Sequence, residues 1–327
     1  MTRTTLCRSI APAAVACAAT LVLAACGGQS SSGGGGGGGD GGGELSGQVL
    51  IDGSSTVEPL SSAAAEFYAE QAPGVKPTVA TSGTGGGFEK FCKSETDISN
   101  ASRPIEEDEM AACEAAGIEF TELQVANDAL TVVVNPQNNW ANCLTTQELM
   151  TIWAPASEGQ VTTWNQVRPD FPPEPLALFG PGTDSGTFDY FTEAINGEEG
   201  ASRADYQSSE DDNVLVQGVQ GARGATSYFG FTYFEENQDA LKAVQVDGGQ
   251  GCVAPSAQTV QDGTYVPLAR PLFIYVSNRA YAEKPQVAGF VDFYAQQIDR
   301  IAEAAQFVAL NDEQRSELTS TVRQLGQ

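Results

Sequence analysis

The chain has 327 residues with 41% hydrophobic and 8% aromatic side chains, and its 42 acidic residues outnumber 16 basic ones to give a formal net charge of -26. So negative a field excludes nucleic acid and acidic membrane surfaces as partners. There is no histidine, which removes the commonest general acid and base, and the length accommodates about two domains, each with a real core.

Arg3 and Arg8 open the chain, Ile10 begins an apolar, alanine-rich run ending at Leu23, and Leu-Ala-Ala-Cys closes at Cys26. This order reads as an export signal over residues 1–25, with an apolar run too short for a comfortable membrane span. The small residues before the cysteine resemble the lipobox of bacterial lipoproteins, which implies cleavage and lipid modification at Cys26. Residues 26–45 are mostly glycine and serine. They cannot bury a core and read as a flexible tether with a reach of roughly 25 Å. Cys7 and Cys17 leave with the signal, so Cys92, Cys113, Cys143 and Cys252 remain. Four cysteines in an exported chain admit three pairings, and a zinc site is disfavoured by their spacing.

A strand over 48–51 leads into Asp52-Gly-Ser-Ser-Thr-Val-Glu-Pro-Leu and an amphipathic helix to about 71, with Leu60, Ala64, Phe67 and Tyr68 at helical spacing. Strands follow over 76–81 and 97–101, with a Ser/Thr/Gly turn and a short helix between them. A helix over 106–116 has an acidic first turn that suits its dipole. Two strands are expected over 118–125 and 129–134, the second apolar enough for a centre buried on both faces. Thr145-Thr-Gln-Glu opens a capped helix to 153, and a proline-rich surface connection leads to a strand over 176–179. The acidic run near 208–213 reads as a solvated loop or helix start, followed by an aromatic strand near 225–230. A strand over 266–276 is interrupted by Pro271. One long amphipathic helix is expected over 287–305 and another over 312–325. Strands alternating with helices point to an α/β architecture with mostly parallel sheets.

Three strand-to-helix turns are rich in Ser, Thr and Gly. The first contains Ser54, Ser55 and Thr56, the second Ser82, Thr84, Gly85 and Gly86, and the third Thr183, Asp184, Ser185, Gly186 and Thr187. A helix start leaves N–H groups without carbonyl partners, and glycine lets a ligand approach them closely. Such turns bind anions. Arg103, ending the strand over 97–101, adds a planar fork suited to a tetrahedral oxyanion. The net charge does not forbid this, because the long-range field is screened within roughly 10 Å while contacting donors act locally.

In this order, DGSSTVEP (52–59), SGTGGGF (82–88), DISNASRP (97–104) and GTDSGTFDYF (182–191) resemble the solute-binding proteins of ABC importers. More narrowly, they resemble the phosphate-binding component of the high-affinity phosphate importer. The resemblance implies a two-lobed α/β fold of the periplasmic-binding-protein-like type II, with mixed sheets, flanking helices and two hinge strands. One lobe would comprise 46–128 and 271–327, the other 129–270. It implies anion contacts from Thr56, from Thr84, Gly85 and Gly86, and from Ser185, Gly186 and Thr187. Arg103 would be the charge partner, with Ser55, Ser82 and Ser102 as further donors. The implied protein is a monomeric, lipid-anchored receptor on the outer face of the cytoplasmic membrane that passes inorganic phosphate to a permease. It is not an enzyme and needs no cofactor or metal.

The better-known branch of that family has an aspartate where Ser102 stands and an arginine where this chain has Pro181. In the branch with Ser-Arg-Pro the arginine stands at the position of Arg103. A carboxylate that accepts the proton of phosphate is then to be found elsewhere, and Asp184, Glu58 and Asp212 are the candidates. Receptors for sulfate or molybdate are the alternative. A secreted phosphohydrolase is disfavoured by the missing histidine and the lack of a metal-ligand cluster. Locality favours Cys92 with Cys113, and Cys143 with Cys252 then joins segments assigned to one lobe.

Overall fold

A computed structural model describes residues 45–183 and 185–327. The export signal, Cys26, all but the last residue of the tether, and Asp184 lie outside the described residues. The first part of the chain runs β1 (Gly47–Gly53), α1 (Glu58–Gln71), β2 (Val75–Val79), α2 (Gly83–Phe91), β3 (Ile98–Ala101), α3 (Glu107–Ala115) and β4 (Phe120–Val134). Next come β5 (Cys143–Thr145), α4 (Thr146–Trp153), α5 (Trp164–Val167), β6 (Ala177–Gly180), α6 (Gly186–Asn196), β7 (Gln207–Ser208), α7 (Asp212–Gly221) and β8 (Ala225–Gly230). The remainder is α8 (Phe231–Glu236), β9 (Lys242–Ala243), β10 (Gln245–Asp247), β11 (Cys252–Val253), α9 (Ala257–Gln261), β12 (Ala269–Ser277), α10 (Asn278–Glu283), α11 (Pro285–Gln296), α12 (Ile298–Ala304) and α13 (Asp312–Leu325).

The main sheet has the order β2-β1-β3-β12-β4-β8-β6-β7, with β9 also on β4, and a small sheet has the order β11-β10-β5. The sheets are mixed rather than mostly parallel. β1 pairs in parallel with β2 and β3, and β6 with β8, but β12 is antiparallel to both β3 and β4. Alternating strands and helices carry no sign of this, because the strand that enters between β3 and β4 arrives from far along the chain.

β4 is one strand of 15 residues where the sequence suggested two. The polar pair Asn127 and Asp128, which reads as a break, is accommodated by distant partners. Asn127 exchanges both backbone hydrogen bonds with Val308, at 2.9 and 3.0 Å, and Asp128 faces its ladder partner Arg270 on β12. Its first part pairs with β12 and its last five residues with β8. Leu123 and Val125 of β4 pack in one apolar core with Ile51, Leu60, Ile274 and Phe290. Leu130 and Val132 pack in another with Trp153, Phe191 and Tyr228. Pro271 sits inside β12 beside a bulge at Leu272 and Phe273, where a missing N–H is tolerated.

Two further differences have local causes. The expected long helix after 285 is α11 and α12, interrupted at Gln297; Phe290, Tyr294, Ile298 and Ile301 are all buried, so the apolar stripe crosses the break unaltered and periodicity cannot reveal it. The proline-rich connection is anchored rather than superficial, since Trp164 is fully buried and its indole N–H donates to the Gly224 carbonyl at 2.9 Å. Both disulfides have the favoured pairing, Cys92–Cys113 and Cys143–Cys252.

Candidate functional site

At the C-terminal end of β1 the chain must leave the sheet beside β3. Gly53 has φ of +137°, and a Cβ there would lie 2.2 Å from the Asn100 carbonyl oxygen. Only glycine permits this approach. A Cβ on Gly87 of α2 would in turn lie 2.5 Å from the Gly53 Cα, so α2 rests directly on β1. The first and second turns are therefore side by side.

Buried Asp52 locks the second turn. It accepts from the Ser82 backbone N–H at 3.0 Å and the Ser82 hydroxyl at 2.8 Å, and it pairs with Lys90. Burial alone would raise its proton affinity, but the Lys90 and Ser82 hydrogen bonds hold it below the usual carboxylate range. With Ser82 so engaged, no side chain caps α2, and none caps α1. In α1 the Glu58 N–H donates to the Ser54 carbonyl, Leu60 and Ser61 donate to Val57, and Pro59 has no N–H, whereas the uncapped start of α2 keeps outward N–H groups and a positive dipole end.

The turn before α1 and the start of α2 open on one cleft of about 340 Å³, at the small end of the range for ligand sites. Ser54, Ser55 and Thr56 line it from the first turn, and Ser82, Gly83, Thr84, Gly85 and Gly86 from the second. Ser102 and Arg103 complete that side, with the Thr84 and Ser102 hydroxyls sharing a hydrogen bond of 3.1 Å. Asp189, Tyr190, Glu193, Glu199 and Arg270 line the other.

Arg103 is in the wall, but its fork meets a carboxylate. Nη1 and Nη2 donate to the two Glu109 oxygens at 2.8 and 2.9 Å, and Nε is 3.2 Å from Glu106. The capping box of α3 turns Glu109 back toward the start of its own helix, which delivers it to Arg103. Burial would raise the Glu109 proton affinity, yet the Arg103 fork keeps it below the ordinary range.

The third turn is placed differently from the other two. Ser185, Gly186 and Thr187 are not in the wall of this cleft. The Ser185 hydroxyl caps its own helix, accepting from the Thr187 N–H at 3.2 Å. A Cβ on Gly186 would nevertheless lie 3.5 Å from the Thr56 hydroxyl oxygen, so the third turn abuts the first. The same helix α6 presents Asp189 and Tyr190 one turn further on.

Of the acceptor candidates, Glu58 is the first residue of α1 and is hydrogen-bonded by Ser62; it does not line the cleft. Asp212 lines a separate cavity of about 170 Å³ together with Asp128 and Thr187. Burial, then the neighbouring charges of Asp211 and Glu210, push Asp212 up to about 6. A carboxyl raised in the folded state and ordinary in the unfolded one costs stability as pH rises from about 4 to about 6. Asp212→Asn is therefore expected to raise the urea midpoint at pH 7 and to lose that advantage near pH 4. Equal midpoints at both pH values would refute the assignment.

Among the described residues, the carboxylates that reach the cleft are Asp189, Glu193 and Glu199. Burial and then the charge of Glu199 raise Asp189 above the ordinary range, against the opposing pull of Arg270. Sequence reasoning missed these acids and Arg270. The signal for Arg270 was present, as a lone cation in the apolar run VPLARPLFIYV, whereas nothing local marks which acids of α6 face inward.

Residues 38–297 match the PBP superfamily domain. Protein SphX of Synechocystis sp. is 48% identical over 270 residues, covering 83% of this chain and 80% of SphX. The phosphate-binding protein PstS of Staphylococcus saprophyticus is 38% identical over 265 residues, covering 81% of each chain. A solved structure described as a possible phosphate binding protein from Planctomyces limnophilus superposes with a TM-score of 0.82 at 46% identity, covering 86% of this chain and all of that one. With the same mixed α/β fold and this extent of identity, the chain belongs to the PBP superfamily, in the family that contains SphX and PstS.

Proposed function

We propose that the protein is an extracytoplasmic receptor that binds inorganic phosphate and delivers it to the permease of an ABC importer. The observation that carries this reading is the convergence of the Ser-Ser-Thr turn before α1, the uncapped Ser/Thr/Gly start of α2 and two arginines on one cleft. The relatives named for phosphate binding supply the identity of the anion. Thr56, Thr84, Gly85 and Gly86 would donate to its oxygens, with Ser55, Ser82 and Ser102 nearby. Ser185, Gly186 and Thr187 would join them as the cleft closes, because their turn already abuts Thr56.

The closing parts are lobes of residues 46–128 with 271–327 and of residues 129–270, hinged on β4 and β12. Binding energy has only to favour the closed arrangement over the open one. The protein is a receptor and not an enzyme. It is held on the outer face of the cytoplasmic membrane by lipid on Cys26 and acts as a monomer. Among the described residues no helix is long and apolar enough to cross a membrane.

Calorimetric titration with phosphate and sulfate tests this reading. Saturable binding of phosphate with at least tenfold weaker sulfate binding is expected, since a cleft with carboxylates can accept the proton that phosphate keeps but repels a fully ionised anion. Equal affinities would favour a general oxyanion receptor, and steady turnover of a chromogenic phosphate ester would overturn the receptor reading altogether.

Arg103→Ala is expected to weaken phosphate binding at least tenfold. Arg103 is a cation in the cleft wall that pairs with Glu109 and Glu106, and its removal takes that positive charge away and leaves both carboxylates unpaired behind the wall. An unchanged dissociation constant would remove Arg103 from the site.

A further inference from the structure

Arg270 is a charged residue of the cleft that touches both the first turn and α6. It lies on β12 directly opposite Asp128 in the β4 ladder, and only 15% of its side chain is exposed. Its Nε donates to Asp128 Oδ2 at 3.2 Å, and Nη2 donates to the Thr56 hydroxyl at 3.0 Å. The guanidinium carbon is 3.6 Å from the centre of the Tyr190 ring. Nη1 is 4.0 Å from Glu193, too far for a hydrogen bond.

We infer that Arg270 is a further anion-binding residue of the cleft, which makes Thr56 a donor and supplies the second positive charge opposite Arg103. The inference rests on the phosphate-receptor reading above and deepens it. A hydroxyl has one proton and two lone pairs. Because the Thr56 oxygen accepts from a guanidinium, its own proton is directed elsewhere, and a hydrogen bond received from a cation strengthens the one it donates. Thr56 borders the cleft, so an anion there meets a polarised O–H.

Asp128 explains how the cation can wait in so negative a protein. It is a buried partner that fixes the guanidinium plane, and the Tyr190 face supports it from α6. An anion arriving between Thr56 and α6 would find Arg270 donors already oriented, with no chain reorganisation. The same side chain touches the first turn on one side and α6 on the other, so it also ties anion binding to the approach of those two elements.

The competing explanation is that Arg270 merely neutralises Asp128. The neutral pair Arg270→Gln with Asp128→Asn separates the two, because it removes the ion pair without leaving a lone buried charge. Phosphate titrations of the full chain in detergent should show this double variant folded by circular dichroism but bound at least tenfold more weakly than the parent. Thr56→Val should weaken the parent several-fold and the double variant much less, because the two positions act as one unit. Arg270→Lys, which keeps the charge and can still meet Asp128 but lacks the fork, should weaken binding by about tenfold as well, and it serves if the double variant does not fold. Parent-like affinity, within twofold, in either folded variant would overturn the inference while leaving the receptor reading intact. A parent chain that fails to bind phosphate would instead overturn the receptor reading, and this inference with it.

Discussion

Replacing Cys143 and Cys252 by serine is expected to lower the unfolding free energy by about 4.7 kcal/mol, as the chain-entropy estimate gives for a loop of roughly 100 residues. The bond joins residues 109 apart, connecting β5 to β11 at the two edges of the small sheet. That sheet has three short strands, with only two residue pairs between β10 and β11, so its own hydrogen bonds contribute little independent stability. The Cys92–Cys113 bond spans 21 residues and its removal should cost about 3 kcal/mol. Urea denaturation of the two serine double variants gives the comparison. If removing the shorter crosslink costs as much as removing the longer one, loop entropy does not govern these bonds.

The second large effect is expected for Trp153→Ala. Trp153 ends α4 with no exposed surface and meets Phe191, Tyr206 and Tyr228 edge-on, with ring centres 5.8, 5.7 and 4.9 Å away. Phe191 and Tyr228 are themselves stacked at 3.7 Å. Deleting a buried indole removes its burial energy and leaves a cavity, for a loss of about 3–5 kcal/mol. The consequence reaches the cleft, because Phe191 lies next to Tyr190 on α6 and α4 packs on that helix. Phosphate affinity should fall along with the thermal midpoint, whereas Trp153→Phe should recover most of both. Full affinity in a destabilised Trp153→Ala variant would show that α6 is positioned independently of this aromatic cluster.

The local signals were strong wherever the chain's own neighbours decide the outcome. Thr145 and Glu148 form the capping box that their spacing announces, and α13 begins at Asp312 as expected. The turn before α2 was legible because glycine and serine at a helix start have few other uses. Signals failed where a distant partner substitutes for a local preference. Asn127 and Asp128 look like a loop until Val308 and Arg270 satisfy them. Arg103 looks like a free fork until α3 folds Glu109 against it.

Sequence alone determined the helix starts rich in Ser, Thr and Gly, the alternation of strands and helices, and the pool of residues from which a binding site could be built. These follow from backbone sterics and from hydrogen bonds between residues a few positions apart. The tertiary structure alone decided which of those residues share a cleft, that Arg270 stands 3.0 Å from Thr56 across a separation of 214 residues, and that Asp189 rather than Asp212 faces it. The reason is that long-range pairing is selected by the burial of whole strands and helices, and a single polar side chain is carried to its neighbours by packing that it does little to direct.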